Sequence, residues 1–282
     1  MTAMPATAIG ILHPGEMGAA VGAAARLNGA RVLWASADRS ASTRTRAEAA
    51  GLEDVGTLAH VVGESALILS ICPPASAADV AREVAGLGFR GAFVDANAVA
   101  PASSRAIGDI VTAGGARFVD GGIVGPPPHR AGTTRLYLSG AGAAEVAVRF
   151  ATGPLTAIAL EGEAGAASAL KMAYAGWNKG SQALLLAIRA LAAHEGVDDA
   201  LVREWALSMP DLARRTEQAV AANTRKAWRF VGEMHEIAAT FESTGLPDGF
   251  HAAAAEIFAR MAHWKDVPTA PSLAEVQKAL AP

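Results

Sequence analysis

The residues that could do chemistry here are few, and the first is a lysine. Lys171 stands in Gly162–His194, GEAGAASALKMAYAGWNKGSQALLLAIRALAAH, a stretch of alanine, leucine and methionine with no proline. These are strong helix formers. At 100° per residue, Tyr174, Asn178 and Gln182 share the face of Lys171. A polar stripe on an otherwise apolar helix costs free energy unless it meets partners or a ligand. An amine so placed can take up or release a proton if burial lowers its pKa towards the working pH. The plainer reading is a lysine that snorkels to solvent.

The second constellation is His13-Pro14-Gly15-Glu16-Met17-Gly18. It follows the apolar run Ala8–Leu12 and precedes the helical pattern AAVGAAARLNG. Strand, glycine turn and helix are the context in which G-x-G-x-x-G signals a bound dinucleotide. Gly15 falls where backbone approaches a pyrophosphate, and Gly18 where helix packs on strand. His13 replaces the first glycine. A residue before proline is pushed towards extended geometry, so the turn is expected to be built differently. The helix start still offers N–H groups and a positive dipole end to phosphate. A second strand, Arg31–Ala35, ends at Ser36-Ala37-Asp38-Arg39, with Arg44 and Arg46 close by. A small hydroxyl followed by arginines suits the 2′-phosphate of NADP, while Asp38 keeps NAD as an alternative. The arginines also read as a solvated helix face.

The elements that must position these residues follow from the apolar runs. Ala66–Ile71 and Ala92–Asp95 are short and continuous, with helical patterns after them, as in a buried parallel sheet. Their carboxyl ends carry Cys72-Pro73 and Asn97, where such sheets bind ligands. The expected cofactor contacts are therefore His13, Pro14, Gly15, Glu16, Met17, Ser36, Arg39, Cys72, Pro73 and Asn97. In FVDGGIVGPPPHRAGTTRLYLSG, Asp120 ends a strand, and the glycines and prolines after it read as a stiff loop. Gly121, Gly122 and Ile123 are candidates for presenting backbone to a substrate. Arg135–Ser139 and Leu155–Leu160 read as further strands. From Asp198 the pattern is helical throughout, broken at Pro210, near Asn223, at Gly245–Pro247 and at Pro268–Pro271. Five or six helices are expected. His235 and His251 are the candidate substrate contacts here, with His251 in the first turn of its helix. A positive dipole end there favours a neutral imidazole.

The bounds are consistent with this. The chain has 282 residues, about half of them hydrophobic, and a net charge of −3. Nothing points to a nucleic-acid or membrane partner. Cys72 is the only cysteine, which suits a reducing compartment. No signal-peptide pattern, long apolar span or metal-ligand spacing is present, so a soluble cytoplasmic protein without a metal is expected. The reading is α/β: a dinucleotide-binding Rossmann domain over 1–161, joined by a long helix to an all-α domain over 162–282.

With these residues in view, nearly all of the chain resembles the β-hydroxyacid dehydrogenase superfamily, which includes 6-phosphogluconate and 3-hydroxyisobutyrate dehydrogenases. GILHPGEMG is similar to its cofactor motif. VDGGIVG stands at its substrate segment, Asp-x-Pro-Val-Ser-Gly-Gly, with Val124 and Pro126 as departures. GEAGAASALKMAYAGWN is similar to its catalytic segment, Gly-x-x-Gly-x-Gly-x-x-x-Lys-x-x-x-Asn, with Ala167 for the last glycine and Ala175 for the asparagine. Tyr174 and Asn178 replace the histidine and glutamate of 6-phosphogluconate dehydrogenase. SALKMAYAGWNKGSQALLLA and the helices after it look more like a branch known by a phosphogluconate-dehydrogenase-like C-terminal domain. The resemblance implies a homodimer packed through the α-helical domains and an active site in the interdomain cleft. It also implies hydride transfer between an NADP(H) cofactor and a small-molecule substrate, a 3-hydroxy acid or related alcohol and its carbonyl. Lys171 would be the general acid/base, with Asn178 and Tyr174 orienting the substrate. Imine reduction is the first alternative, although related imine reductases carry Asp or Tyr at the lysine position. A non-catalytic NADP-binding protein is the second.

Overall fold

The computed structural model describes residues 8–265 and 267–281. They divide into two compact units, the first ending at Lys171 and the second beginning at Met172. The division falls inside the long helix rather than ahead of it, because the first turn of that helix is tied to the sheet.

The first unit is an eight-stranded sheet: β1 Ile9–Leu12, β2 Val32–Trp34, β3 Glu53–Asp54, β4 Leu67–Ser70, β5 Ala92–Asp95, β6 Arg117–Val124, β7 Thr134–Ser139 and β8 Leu155–Ala159. The spatial order is β3-β2-β1-β4-β5-β6-β7-β8. The first six are parallel, β7 runs antiparallel to β6, and β8 is parallel to β7. Strand order 3-2-1-4-5-6 is that of the doubly wound dinucleotide-binding fold. Central strands are mostly apolar because helices cover both faces, with Ser70, Asp95 and Asp120 as buried exceptions. One core gathers Ile9, Ile11, Leu69, Val94 and Leu136 with the helix α1, Glu16–Arg26. The other gathers Ile68, Phe93 and Phe118 with Val80, Val84, Ile107 and Val111. Those four come from α4, Ala77–Gly86, and α5, Pro101–Ala113. The helices between are α2, Ala41–Ala49, and α3, Leu58–Glu64, with a short α6, Ala143–Ala147, before β8.

Two expectations change. β6 does not end at Asp120 but continues to Val124, so Gly121, Gly122 and Ile123 are buried strand residues paired with Leu138, Tyr137 and Leu136 of β7. The loop begins only at Gly125. The long helix α7 runs over Ala166–His194, 29 residues, and is not buried all round. Tyr174, Trp177, Leu184 and Leu191 are exposed.

Beyond α7 the second unit holds α8 Asp198–Ser208, α9 Leu212–Asn223, α10 Ala227–Ser243, α11 Gly249–Arg260 and α12 Leu273–Leu280. Its core includes Leu186, Met234, Ile237, Phe258 and Val276. Arg189 of α7 makes a fork of two hydrogen bonds to Asp198, at 2.6 and 2.7 Å, which fixes the entry of α8. No helix among the described residues is long and apolar enough to cross a membrane.

Candidate functional site

Parallel strands put the carboxyl ends of β1, β2, β4 and β5 on one edge of the sheet. β1 and β4 are neighbours in space, and the chain leaves them in opposite directions along the sheet order, which makes the switch-point crevice of this fold. After β1, His13 takes φ = 61°, the left-handed region, instead of extended geometry. The chain still requires the tight turn that a glycine would make, and histidine is among the residues tolerated there. Gly15 N–H then donates to His13 C=O at 2.7 Å across Pro14. Gly15 is exposed, and a Cβ added to it would have only the His13 oxygen near, at 3.9 Å. A Cβ on Gly18 would come within 2.9 Å of the same oxygen. The two glycines thus differ in purpose: Gly18 lets α1 close on the turn, while Gly15 leaves open space over it. No side chain caps the start of α1. Met17 packs on the core, and Glu16 is exposed in the first turn.

His13 Nδ1 is buried without a hydrogen-bond partner. Burial, with the charge of Arg39 second, pushes this histidine down to about 4, so the ring is neutral at physiological pH. Arg46 Nη1 donates to Pro14 C=O at 3.3 Å. Two arginines therefore bear on the turn, Arg39 through its charge and Arg46 by contact. Ser36 is buried and donates its backbone N–H to Asp54 Oδ1 at 3.2 Å, while Asp38 is left-handed at φ = 56°.

Asn97 does not offer a spare amide N–H. Its Nδ2 donates to Ser70 Oγ at 3.2 Å and to Asp95 Oδ1, and its Oδ1 accepts Cys72 N–H at 2.5 Å. It fixes the Cys72-Pro73 loop. Burial pushes the Cys72 thiol up to about 11, so it is not a nucleophile near neutrality.

Lys171 is tied to β6. Its Nζ donates to Ile123 C=O at 2.6 Å. Gly122 makes this approach possible, since a Cβ there would meet Ala167 O at 2.6 Å and Lys171 Cβ at 3.1 Å. Gly121 is similarly packed, 2.9 Å from Asp95 O by the same measure. Both glycines are accounted for by protein rather than by an open substrate loop.

The remaining candidates belong to the second unit. Tyr174 and Asn178 are exposed. Gln182 Nε2 donates to Asn178 Oδ1 at 3.4 Å, and Asn223 Nδ2 donates to Gln182 Oε1 at 2.6 Å, so part of the expected stripe is a hydrogen-bonded chain. His235 is exposed. His251 is buried, edge-on to Phe241 at 4.4 Å and against Gly176 and Gly180. It lies in the first turn of α11, and burial lowers its pKa. No group of three or more His, Cys, Asp or Glu that could hold a metal occurs among the described residues.

Sequence reasoning missed Asp120, Ser104, Ser139 and Ser168, which meet in the buried interior of the first unit. Their only signal was polarity at positions otherwise apolar.

Residues 192–261 match a family model described as a domain of unknown function, DUF1932. A search of curated proteins found no match. Among solved structures the chain is similar to MTH1747, a protein of unknown function with structural similarity to 3-hydroxyacid dehydrogenases. Identity is 22%, TM-score 0.68, and the match covers 92% of this chain and 100% of that one. It is similar to Mycobacterium tuberculosis 3-hydroxyisobutyrate dehydrogenase with L-serine, at 18% identity and TM-score 0.73 over 98% and 99% of the two chains. It is also similar to a reductive aminase from Aspergillus terreus in complex with NADPH and ethyl levulinate, at 18% and 0.58 over 97% and 99%.

Proposed function

We propose that the chain, which shares the fold of MTH1747 and of 3-hydroxyisobutyrate dehydrogenase, is an NADP(H)-dependent oxidoreductase that interconverts a 3-hydroxy acid, or related small alcohol, and its carbonyl compound, with Lys171 as general acid/base. One observation carries the reading: an amine seated by a 2.6 Å hydrogen bond on the sheet of a dinucleotide-binding unit. The turn over β1 fits a nucleotide. It has open space at Gly15, an orphaned buried Nδ1 at His13 and an uncapped helix start. Arg39 and Arg46 beside it favour the 2′-phosphate of NADP, and Asp38 after β2, with Asp54 at the end of the neighbouring β3, makes NAD the competitor.

A bound nicotinamide supplies or takes up the hydride. In the oxidative direction Lys171 takes the proton of the substrate hydroxyl; in the reductive direction its ammonium returns it to the forming alkoxide. The bond to Ile123 C=O orients the amine, so little reorganisation accompanies transfer. Tyr174 and Asn178 are the proposed orienting groups, one and two turns further along α7.

Replacing Lys171 with Met should lower turnover by about 10²- to 10⁴-fold while NADPH still binds. Unchanged turnover removes the role. A panel of 3-hydroxy acids and cyclic imines, followed by NADPH absorbance, finds the substrate class. Turnover of imines that survives Lys171→Met and is lost in Tyr174→Phe would favour the imine reductase reading, which the fold of the reductive aminase supports. Arg39→Ala should weaken NADPH binding at least tenfold and NADH binding little. Equal loss for both would favour NAD.

A further inference from the structure

Asp120 is a charged residue with no exposure, placed in the middle of β6 and given no part in the reading above. Its Oδ2 accepts Ser139 Oγ at 2.9 Å, Gly165 N–H at 2.9 Å and Ser168 N–H at 3.0 Å. Its Oδ1 accepts Ser104 Oγ at 2.7 Å and Ser168 Oγ at 2.5 Å. Five donors from α5, β7 and the start of α7 thus converge on one carboxylate. Burying such a charge is costly unless it is met in this way.

The donors on α7 are those that a helix start leaves over. Ala169 N–H bonds Gly165 C=O, so Gly165 is the cap and the first turn is residues 166–168. Gly165 and Ser168 N–H go to Asp120, Ala167 N–H goes to Ser139 Oγ at 3.0 Å, and Ala166 N–H goes to Glu163 C=O at 3.2 Å. Every one of these four amides is taken. The start of α1, by contrast, has no side-chain cap. A carboxylate from a neighbouring strand replaces the usual local cap, and its charge complements the positive helix end. Three residues past Ser168 stands Lys171, and three residues past Asp120 stands Ile123, whose carbonyl accepts the hydrogen bond of the lysine amine. The first two turns of α7 are therefore held to one strand at both ends. Gly122 between them leaves no slack, because α7 already lies against its Cα.

We propose that Asp120 is a positioning residue for Lys171: it sets the depth and rotation of the start of α7 on β6, and so the place of the ammonium. The inference rests on the role of Lys171 proposed above, but its test does not.

Lysine amines of the intact protein would be labelled with trace acetic anhydride at several pH values and quantified by peptide mass spectrometry. Lys179, in the second unit, is the internal reference. In folded Asp120→Asn, the labelling of Lys171 relative to Lys179 should change at least threefold. NADPH affinity should stay within twofold. On any substrate whose turnover needs Lys171, kcat should fall at least tenfold, with no further loss when Asp120→Asn is added to Lys171→Met. Ser168→Ala, which removes one donor, should shift the labelling in the same sense by less; it also serves if Asp120→Asn does not fold. An unchanged Lys171 profile in a folded variant overturns the proposal, whatever the substrate. Turnover retained in Lys171→Met would overturn the general acid/base role alone.

Discussion

His13 joins a left-handed backbone, a half-buried ring and the turn proposed to hold the nucleotide in one residue. A left-handed non-glycine residue costs about 1–3 kcal/mol, which persists where the surroundings impose it. The ring is depressed to about 4 in the folded chain against about 6.5 unfolded. Protons therefore bind the unfolded chain more tightly over that interval. The stabilising effect of a neutral His13 is complete above about pH 6.5 and is lost as pH falls towards 4. His251 is lowered by burial in the second unit and acts in the same sense. The depressed carboxylates Glu53, Asp54, Asp198, Asp211 and Glu275 act lower, below their ordinary values of about 4 to 4.5. Between pH 6.5 and 5 the slope thus belongs to histidines. His13→Asn keeps a residue that tolerates φ > 0 and does not titrate. Urea midpoints measured from pH 7.5 to 4.5 should fall on acidification in the parent protein and fall less steeply in His13→Asn. An identical slope would mean that His13 does not titrate with folding. His13→Gly should add about 1 kcal/mol of stability by relieving the turn.

At the level of the element, three glycines separate packing from binding. Gly18→Ala puts a methyl 2.9 Å from a backbone oxygen, and Gly122→Ala puts one 2.6 Å from another. Backbone must move in both, so each should cost about 1–3 kcal/mol in a thermal or urea melt. Gly15 is already in a conformation any residue adopts, φ −66° and ψ −170°, with nothing nearer than 3.9 Å. Gly15→Ala should therefore leave stability within about 0.5 kcal/mol yet weaken NADPH at least tenfold by titration, since its methyl would stand where the phosphates come. A Gly15→Ala protein that binds NADPH normally would remove the loop from the site. The same contrast shows what was legible in the sequence. The parallel strands announced themselves as apolar runs punctuated by glycine turns, and the helix breaks at Pro210, Asn223 and Gly245–Pro247 all lie at or between observed helix ends. β3 had no signal, being two exposed residues. Gly121-Gly122 resembled a turn because the reason for their missing side chains is non-local: β5 and α7 lie against them. Asp120 was read as a strand end for the same cause, its partners being scattered from Ser104 to Ser168.

At the scale of the whole molecule, α7 presents an outward apolar face. Trp177, Leu184 and Leu191 recur every seven residues, with Tyr174 a turn before Trp177. They are 72%, 59%, 60% and 47% exposed. Ser181 and Ile188, half-buried, complete a 3-4 spacing along the same stripe. Such spacing suits a partner helix crossing at a shallow angle. We propose a second copy of the chain as that partner, because a two-fold axis pairs the stripe with itself and asks for no other complementary surface. A net charge of only −3 opposes association little. Analytical ultracentrifugation at micromolar concentration should return twice the mass of the chain. Leu184→Glu with Leu191→Glu should return the single mass, since two carboxylates per copy would be buried unpaired against apolar neighbours. These side chains project from exposed positions, so the isolated chain should keep its far-UV circular dichroism. A parent protein that sediments as a monomer at tens of micromolar would end the proposal, and the stripe would then need a different partner.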